Sequence, residues 1–319
     1  MPVIRFCTTG GIIRRWISFL LLPFLLSACF SGPAGKQSAR EKQAAKTNAP
    51  DAFRLSQITV PDNATYNSVL DQLDRSDLQN IDHAITIYSN NKADSLSRDS
   101  MLITLNEFMN GVMQEYYAGK LTGNRKLMDQ FENRDDHSEA SKLTTSLASH
   151  GIKITYRDND FYLEPDLAFV TGRLEKVLTT ASRSYLQIKI NLSNGNSDAK
   201  NQRLTPVDSL AHQIITWEDF ILRYPNYVLK DEISAQYTDV LAAYLSGIES
   251  LPLFDADTKM LNPVYQASYL HFIENYPNRE SARQVKKFYD LLVTKGFKYD
   301  DELDSFLSQV NFSPLNPPQ

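Results

Sequence analysis

Residue types that often carry chemistry are few and widely spaced in this chain. Its 319 residues include two cysteines and five histidines. The histidines are His83, His137, His150, His212 and His271. No two of them have the i, i+4 spacing that places two metal ligands on one face of a helix. A zinc site would need ligands from distant segments, so we predict neither a metal nor a cofactor.

Acidic residues form two candidate clusters. The segment Asp158-x-Asp160-x-x-x-Glu164-x-Asp166 offers oxygen ligands for calcium, but it lacks the glycine and the distal glutamate of a calcium-binding loop. The densest cluster, Asp135–Glu139, has the acidic residues that favour the first turn of a helix. We interpret both clusters as structural, with calcium binding as the alternative for the first.

No short motif in the chain identifies a reaction. The sequence contains neither the Gly-x-Ser-x-Gly motif of many hydrolases nor a glycine-rich loop that binds phosphate. Catalytic groups also assemble from distant residues, so an enzyme is kept as the least favoured hypothesis. We assign no catalytic residue.

The first 29 residues have the features of a secretory signal. Three arginines give a basic start, and an apolar run extends from Trp16 to Leu26. The last four residues, Leu26-Ser27-Ala28-Cys29, resemble the lipobox of bacterial lipoproteins. The resemblance implies cleavage before Cys29, a diacylglyceryl group on its sulfur and an acyl chain such as palmitate on the new amino terminus. We expect residues 1–28 to be a signal peptide, with an ordinary, unlipidated signal or a short membrane anchor that happens to contain Cys29 as the alternative.

A lipidated Cys29 would hold the protein at a membrane of the bacterial cell envelope. Several acyl chains, each contributing about 0.8 kcal/mol per buried CH₂, anchor a protein far better than one. The next residue is Phe30 rather than aspartate. Resemblance to sorted lipoproteins then favours the outer membrane, facing the periplasm, in a bacterium with two membranes. Cys29 would be the only cysteine after cleavage, so no intramolecular disulfide is expected.

Composition describes the next segment and excludes one class of partner. Ser31–Ala52 contains no aromatic residue, valine, isoleucine or leucine. We therefore predict that residues 29–60 are the lipidated cysteine and a disordered tether. The chain has a net charge of −5, and loss of the three signal arginines leaves about −8. Nucleic-acid phosphates need clustered lysine and arginine, so nucleic acid is not an expected partner.

Apolar residues at three- and four-residue steps predict helices through most of the remaining chain. The first predicted helix starts at a capping box, Ser76–Gln79. Three more run from Met101 to Gly119, from Asp136 to Gly151 and from about 166 to 190. A further helix starts at Thr205-Pro206. Between them, period-two alternation around Arg157–Asp160 predicts a small β-hairpin near 152–163. The predicted fold is mainly α, a helical bundle of repeat-like hairpins with one small inserted β-hairpin.

One phrase occurs twice in the C-terminal half, as FILRYPN at 220–226 and as FIENYPN at 272–278. In each copy the proline follows a tyrosine that ends one helix, and a second helix follows. Such a helix pair cannot bury its apolar stripes alone and stacks on a neighbour. The phrase resembles the F-x-x-x-YP motif found between helices in tetratricopeptide-like envelope lipoproteins, and the resemblance implies stacked helix pairs. Two similar helical hairpins in an irregular bundle are the alternative. We predict a helical region at 61–192 and a repeat-like region at 206–312.

Aromatic residues make up 11% of the chain. Grouped, exposed aromatic side chains favour a protein, peptide or glycan partner, whereas aromatic residues at core edges need no partner. The candidate partner-binding residues are Tyr156, Tyr162, Trp217, Tyr224 and Tyr276. We predict a lipid-anchored envelope protein that acts as an interaction or scaffold module for another envelope protein. A lipoprotein that binds a small ligand or a glycan is the alternative.

Overall fold

A computed structural model describes residues 59–133, 139–194 and 204–309, which all belong to one compact unit. The predicted signal peptide, Cys29 and the segment Ser31–Ala52 lie outside the described residues, as do four residues of the acidic cluster at 135–138.

The described residues form twelve α-helices, which confirms the predicted mainly α fold. The helices are α1 (Asn63–Leu70), α2 (Gln79–Ser89), α3 (Ser95–Tyr116), α4 (Arg125–Asn133), α5 (Glu139–Ser149), α6 (Leu167–Leu174), α7 (Thr180–Ser193), α8 (Pro206–Arg223), α9 (Lys230–Ser246), α10 (Pro263–Asn275), α11 (Glu280–Thr294) and α12 (Asp301–Gln309). As predicted, Thr205 caps α8, because its hydroxyl accepts a hydrogen bond from the Asp208 N–H at 3.2 Å.

The predicted β-hairpin is present between α5 and α6. Strand β1 (Ile152–Arg157) pairs antiparallel with β2 (Asp160–Pro165). The two turn residues, Asp158 and Asn159, have φ angles of 52° and 59°, the left-handed pair that suits a two-residue hairpin turn. Two short strands, β3 (Gly247–Ile248) and β4 (Leu251–Pro252), form a second small antiparallel pair between α9 and α10.

The single helix predicted over about 166–190 is wrong, because the structure has two helices there, α6 and α7. The chain leaves helical geometry after Leu174 and restarts at Thr179, whose hydroxyl accepts from the Ser182 N–H at 3.0 Å. Thr179 and Ser182 also donate hydrogen bonds to the buried carboxylate of Asp99 in α3, the latter at 2.6 Å. A contact with a residue about 80 positions away therefore sets the start of α7.

Two helix ends also differ from prediction. The helix expected to stop at Gly119 continues beyond it as a π-helical turn, Tyr117–Leu121. At the predicted capping box, Leu78 is the N-cap residue and no side chain caps the helix; the Asp77 carboxylate accepts from the Gln79 N–H at 3.0 Å just before it.

Buried apolar side chains form two clusters along the described chain. The first cluster draws its buried residues from positions 60–186 and the second from positions 207–303. Tyr185 packs against both. Val60, at the end of the predicted tether, is fully buried in the first cluster.

The junction between α5 and β1 depends on Gly151. Its φ is +72°, and a Cβ atom added there would lie 2.5 Å from Cδ1 of Phe169. Gly123 has a similar φ of +68°, but an added Cβ would meet nothing within 4 Å. Comparing the two glycines therefore distinguishes the energetic cost of a left-handed backbone, which both share, from the cost of a steric clash, which arises only at Gly151.

Gly151→Ala is expected to lower the free energy of unfolding by about 2–3 kcal/mol, through left-handed strain and overpacking against Phe169 together. Gly123→Ala should lower it by only about 1 kcal/mol, through strain alone. Urea denaturation of both variants measures the difference. Equal losses would show that the Phe169 ring moves aside at no cost.

Candidate binding sites

The three predicted partner-binding aromatic residues of the C-terminal half are buried or half-buried and do not form one exposed surface. Trp217 is only 1% exposed and belongs to the second cluster, so it packs the core and presents no surface to a partner. Tyr224 is half-buried, and its hydroxyl lies 3.1 Å from the Ser184 hydroxyl of α7. Tyr276 is half-buried against Phe272, with ring centroids 5.3 Å apart.

The two repeated phrases have the same local geometry. Tyr224 ends α8 with φ −128° and ψ 61°, and Tyr276 ends α10 with φ −128° and ψ 44°. Each tyrosine N–H donates to the carbonyl of the phenylalanine four residues earlier, at 2.9 and 3.0 Å. The repeated residues therefore shape the turn between the two helices of each pair.

The two hairpin tyrosines point to opposite faces of the hairpin. Tyr156 packs against Phe131 and Phe161, and its hydroxyl donates to Glu132 at 3.1 Å. Tyr162 lies beneath the guanidinium of Arg157, 4.3 Å from the ring centroid. The structure thus does not bring the predicted aromatic residues together into one site.

The candidate calcium segment has structural partners. The Tyr117 hydroxyl donates to Asp160 at 2.6 Å. Asp166 caps α6, accepting from the Ala168 and Phe169 N–H groups at 3.0 and 3.2 Å. Within the described ranges, no three histidine, cysteine, aspartate or glutamate residues are close enough together to hold a metal ion.

A cavity of about 310 Å³ lies where the two clusters meet, between α3, α6, α7 and the segment that leads into α9. We call it the junction cavity. Its apolar lining includes Leu102, Leu105, Met109, Val170 and Leu186. Its polar lining includes Asn106, Glu107, Tyr185, Lys189, Tyr227 and Glu232. The volume lies at the lower end of the range for small-molecule sites, and the lining combines an apolar wall with polar groups, as such sites do.

Two hydrogen-bond donors of the junction cavity have no partner within the described part of the chain. Lys189 makes no ion pair or hydrogen bond with the described residues, and its attraction to Glu232 acts at longer range. The Tyr185 hydroxyl also makes no hydrogen bond with that part of the chain. Burial lowers the pKa of Lys189, and the charge of Glu232 opposes that shift. Burial, and after it the charge of Glu232, raises the pKa of Tyr185 well above its usual value, so this hydroxyl stays protonated.

A buried hydrogen-bond network holds the tyrosine wall of the junction cavity. The Tyr227 hydroxyl lies 3.3 Å from the Ser182 hydroxyl, which donates to Asp99. The rings of Tyr185 and Tyr227 are 5.7 Å apart. This network links α3 of the first cluster to the loop before α9 in the second, and so fixes both sides of the cavity.

Sequence reasoning missed the polar residues of the junction cavity. Lys189 lies four positions after Tyr185, on the same helical face, and a lysine on an otherwise apolar face was an available signal. Tyr227 follows the first repeated phrase directly, where the second copy has Arg279. That difference between the copies also marked a specialised position.

Acidic residues of α8 bind the second helix pair, which consists of α10 and α11, at the start of α11. Glu218 is 1% exposed, and its carboxylate accepts from the Glu280 N–H at 3.0 Å and from the Ser281 hydroxyl, at the start of α11. Asp219 forms an ion pair with Arg279. Because α11 has no capping side chain of its own, Glu218 supplies the cap from the neighbouring helix pair.

The matching face of α10 is uncovered by the described residues. In the alignment at offset 52, Glu218 matches Leu270, which is 39% exposed, and Asp219 matches His271, which is exposed. Ile215 is 8% exposed, whereas its match, Ala267, is exposed. One turn earlier, Val264 is 42% exposed. We call Val264, Ala267, Leu270 and His271 the open face.

Among the described helices, none combines the length and the hydropathy of a membrane span. Comparison of the chain with protein families, with curated proteins and with solved structures found no match.

Proposed function

We propose that this protein is a lipoprotein of the bacterial cell envelope, anchored through Cys29, and that its helical body binds another envelope protein through the open face. The observation that carries the proposal is the exposure of Leu270 at the position where Glu218 buries itself against the next helix pair.

The composition of the open face supports a binding role. Terminal repeats of a helical stack normally present a polar outer face, which keeps the stack soluble. Here the residues matching Glu218 and Asp219 are Leu270 and His271, so two negative charges are replaced by an apolar and a weakly basic side chain. An apolar strip in place of a charged one favours contact with protein over contact with water.

The interface between α8 and the second helix pair indicates what kind of partner would fit the open face. On the equivalent face of α8, Glu218 is hydrogen-bonded to the start of α11, and α8 also packs against α10. A partner that continues this packing would present an amphipathic helix with an apolar stripe. A membrane anchor at Cys29 would keep the open face close to partners at the same bilayer.

A photo-crosslinking amino acid placed at Ala267 in living cells tests this function. We expect one discrete adduct with an envelope protein, because Ala267 lies within the open face. The same crosslinker at Lys142, an exposed position of α5, should not give that adduct. Mass spectrometry identifies the partner.

Two substitutions of exposed apolar residues, one inside the open face and one outside it, form a test and its matched control. Leu270→Glu should reduce the Ala267 adduct tenfold or more, since a tenfold loss needs only about 1.4 kcal/mol and burying a leucine contributes roughly 1.5–3 kcal/mol. Val293→Glu changes a residue of α11 that is 49% exposed and lies outside the open face, so the adduct should persist. An adduct that is unchanged in Leu270→Glu, or equally strong from Lys142, would refute the docking role.

A further inference from the structure

We infer that the junction cavity binds a small apolar or aromatic monocarboxylate, whose carboxylate receives hydrogen bonds from Lys189 and Tyr185. This inference does not depend on the open face, which lies on a different helix, and it assigns the chain a second binding site.

The donors of the junction cavity indicate the ligand's polar group. An ammonium group only donates hydrogen bonds, and a protonated tyrosine hydroxyl at a partly buried site also seeks an acceptor. Neither Lys189 nor Tyr185 has a hydrogen-bond partner among the described residues. A ligand carboxylate can accept from both, and the opposite charge offsets the cost of a partly buried ammonium.

The charges around the cavity limit the ligand to a single negative charge. Glu107 and Glu232 also line the cavity and are exposed at its rim. Together with Lys189 they give the lining more negative than positive charge. A phosphate ester or a dicarboxylate would bring its extra charge near these glutamates, and like charges repel. A monocarboxylate places its only charge at Lys189.

The size and the walls of the cavity indicate the remainder of the ligand. An apolar cavity of about 150 Å³ holds benzene, so about 310 Å³ holds roughly twice as many non-hydrogen atoms, about twelve. The wall residues Leu102, Leu105 and Leu186 are apolar and buried, and the Tyr227 ring lies beside them. An alkyl or aryl chain of about ten carbon atoms, ending in one carboxylate, matches this lining.

The probe for this site is 4-phenylbutanoate, which has the required size and charge and is soluble in water. Isothermal titration of the full lipoprotein in nanodiscs measures binding, with empty nanodiscs as the blank. We expect saturable binding at one site. The cation 4-phenylbutylamine should bind at least tenfold more weakly, because its ammonium group cannot accept hydrogen bonds from Lys189 and Tyr185, and the two glutamates that attract it are solvated at the rim.

Variants of the cavity donors distinguish recognition from simple apolar partition. Lys189→Met keeps the apolar stem and should weaken 4-phenylbutanoate binding tenfold or more; Tyr185→Phe should weaken it severalfold. Lys176→Met removes an exposed lysine and should leave binding unchanged. The Ala267 crosslink should persist in Lys189→Met, so failure of this inference and failure of the docking proposal are separable.

Several results would overturn the inference. They are equal binding of the carboxylate and the amine, undiminished binding by Lys189→Met, or no binding by a protein whose circular dichroism shows that it is folded. If Lys189→Met does not fold, undiminished binding by Tyr185→Phe together with equal binding of the amine would be the contrary result.

Discussion

Cys29→Ser is expected to abolish acylation of the protein and to remove it from the outer-membrane fraction. A serine hydroxyl cannot replace the thiol that receives the diacylglyceryl group, so the lipid-dependent cleavage before residue 29 should also fail. A single myristoyl chain gives an association constant of only about 10⁴ M⁻¹, so firm anchoring needs the several chains that the lipobox implies. Metabolic labelling with an alkyne fatty acid, followed by fractionation of the envelope, measures both effects.

The other cysteine of the chain is the matched control. Cys7→Ser changes a residue of the predicted signal peptide that is not part of the lipobox, and it should leave labelling and fractionation unchanged. Undiminished labelling of Cys29→Ser, together with its retention in the outer-membrane fraction, would show that the lipid is attached elsewhere and would contradict anchoring through Cys29.

Glu218→Ala is expected to lower the free energy of unfolding by about 3 kcal/mol. The substitution leaves the Ser281 hydroxyl, which is fully buried, and the Glu280 N–H without their acceptor. Each unsatisfied buried group costs about 1–3 kcal/mol. It also removes the negative charge at the start of α11, where the helix dipole favours one. Urea denaturation followed by circular dichroism measures the change.

Two further variants separate the contributions of Glu218. Glu218→Gln keeps one acceptor oxygen without the charge and should cost about 1–2 kcal/mol. Glu274→Ala removes an exposed glutamate of α10, and its effect should stay within about 0.5 kcal/mol. If Glu218→Ala were as mild as Glu274→Ala, the carboxylate would not be what joins the two helix pairs.

Local features of the fold could be predicted because nearby residues determine them. Thr205 and Pro206 fix the start of α8 through the first-turn geometry of a helix. Asp158 and Asn159 tolerate the left-handed backbone of the hairpin turn, and the alternation of Ile152 and Ile154 faces one side of β1 towards the core. In each case the controlling contacts span only a few residues.

Features set by distant contacts could not be predicted from the sequence. The break between α6 and α7 depends on hydrogen bonds from Thr179 and Ser182 to Asp99, and helical periodicity carries no signal of such a partner. The junction cavity could not be predicted for the same reason. Its walls come from four parts of the chain, so Lys189 and Tyr227 gain their shared surroundings only when the two clusters meet.

Residue type alone does not distinguish a binding residue from a core residue. Trp217 is a candidate because it is a large aromatic residue, but its place on an apolar helical face also predicts burial, and it is 1% exposed. No sequence pattern identifies Leu270 as an exposed leucine, because its exposure depends on which parts of the folded chain cover α10.

The most direct test of the central claim, a helical body held at a bilayer by a lipid on Cys29, is the intact mass of the protein isolated from its native membrane. The account predicts a chain that begins at Cys29 and carries the added mass of a diacylglyceryl group and an amino-terminal acyl chain. A chain that retains residues 1–28, or one that begins at Cys29 with an unmodified thiol, would contradict it.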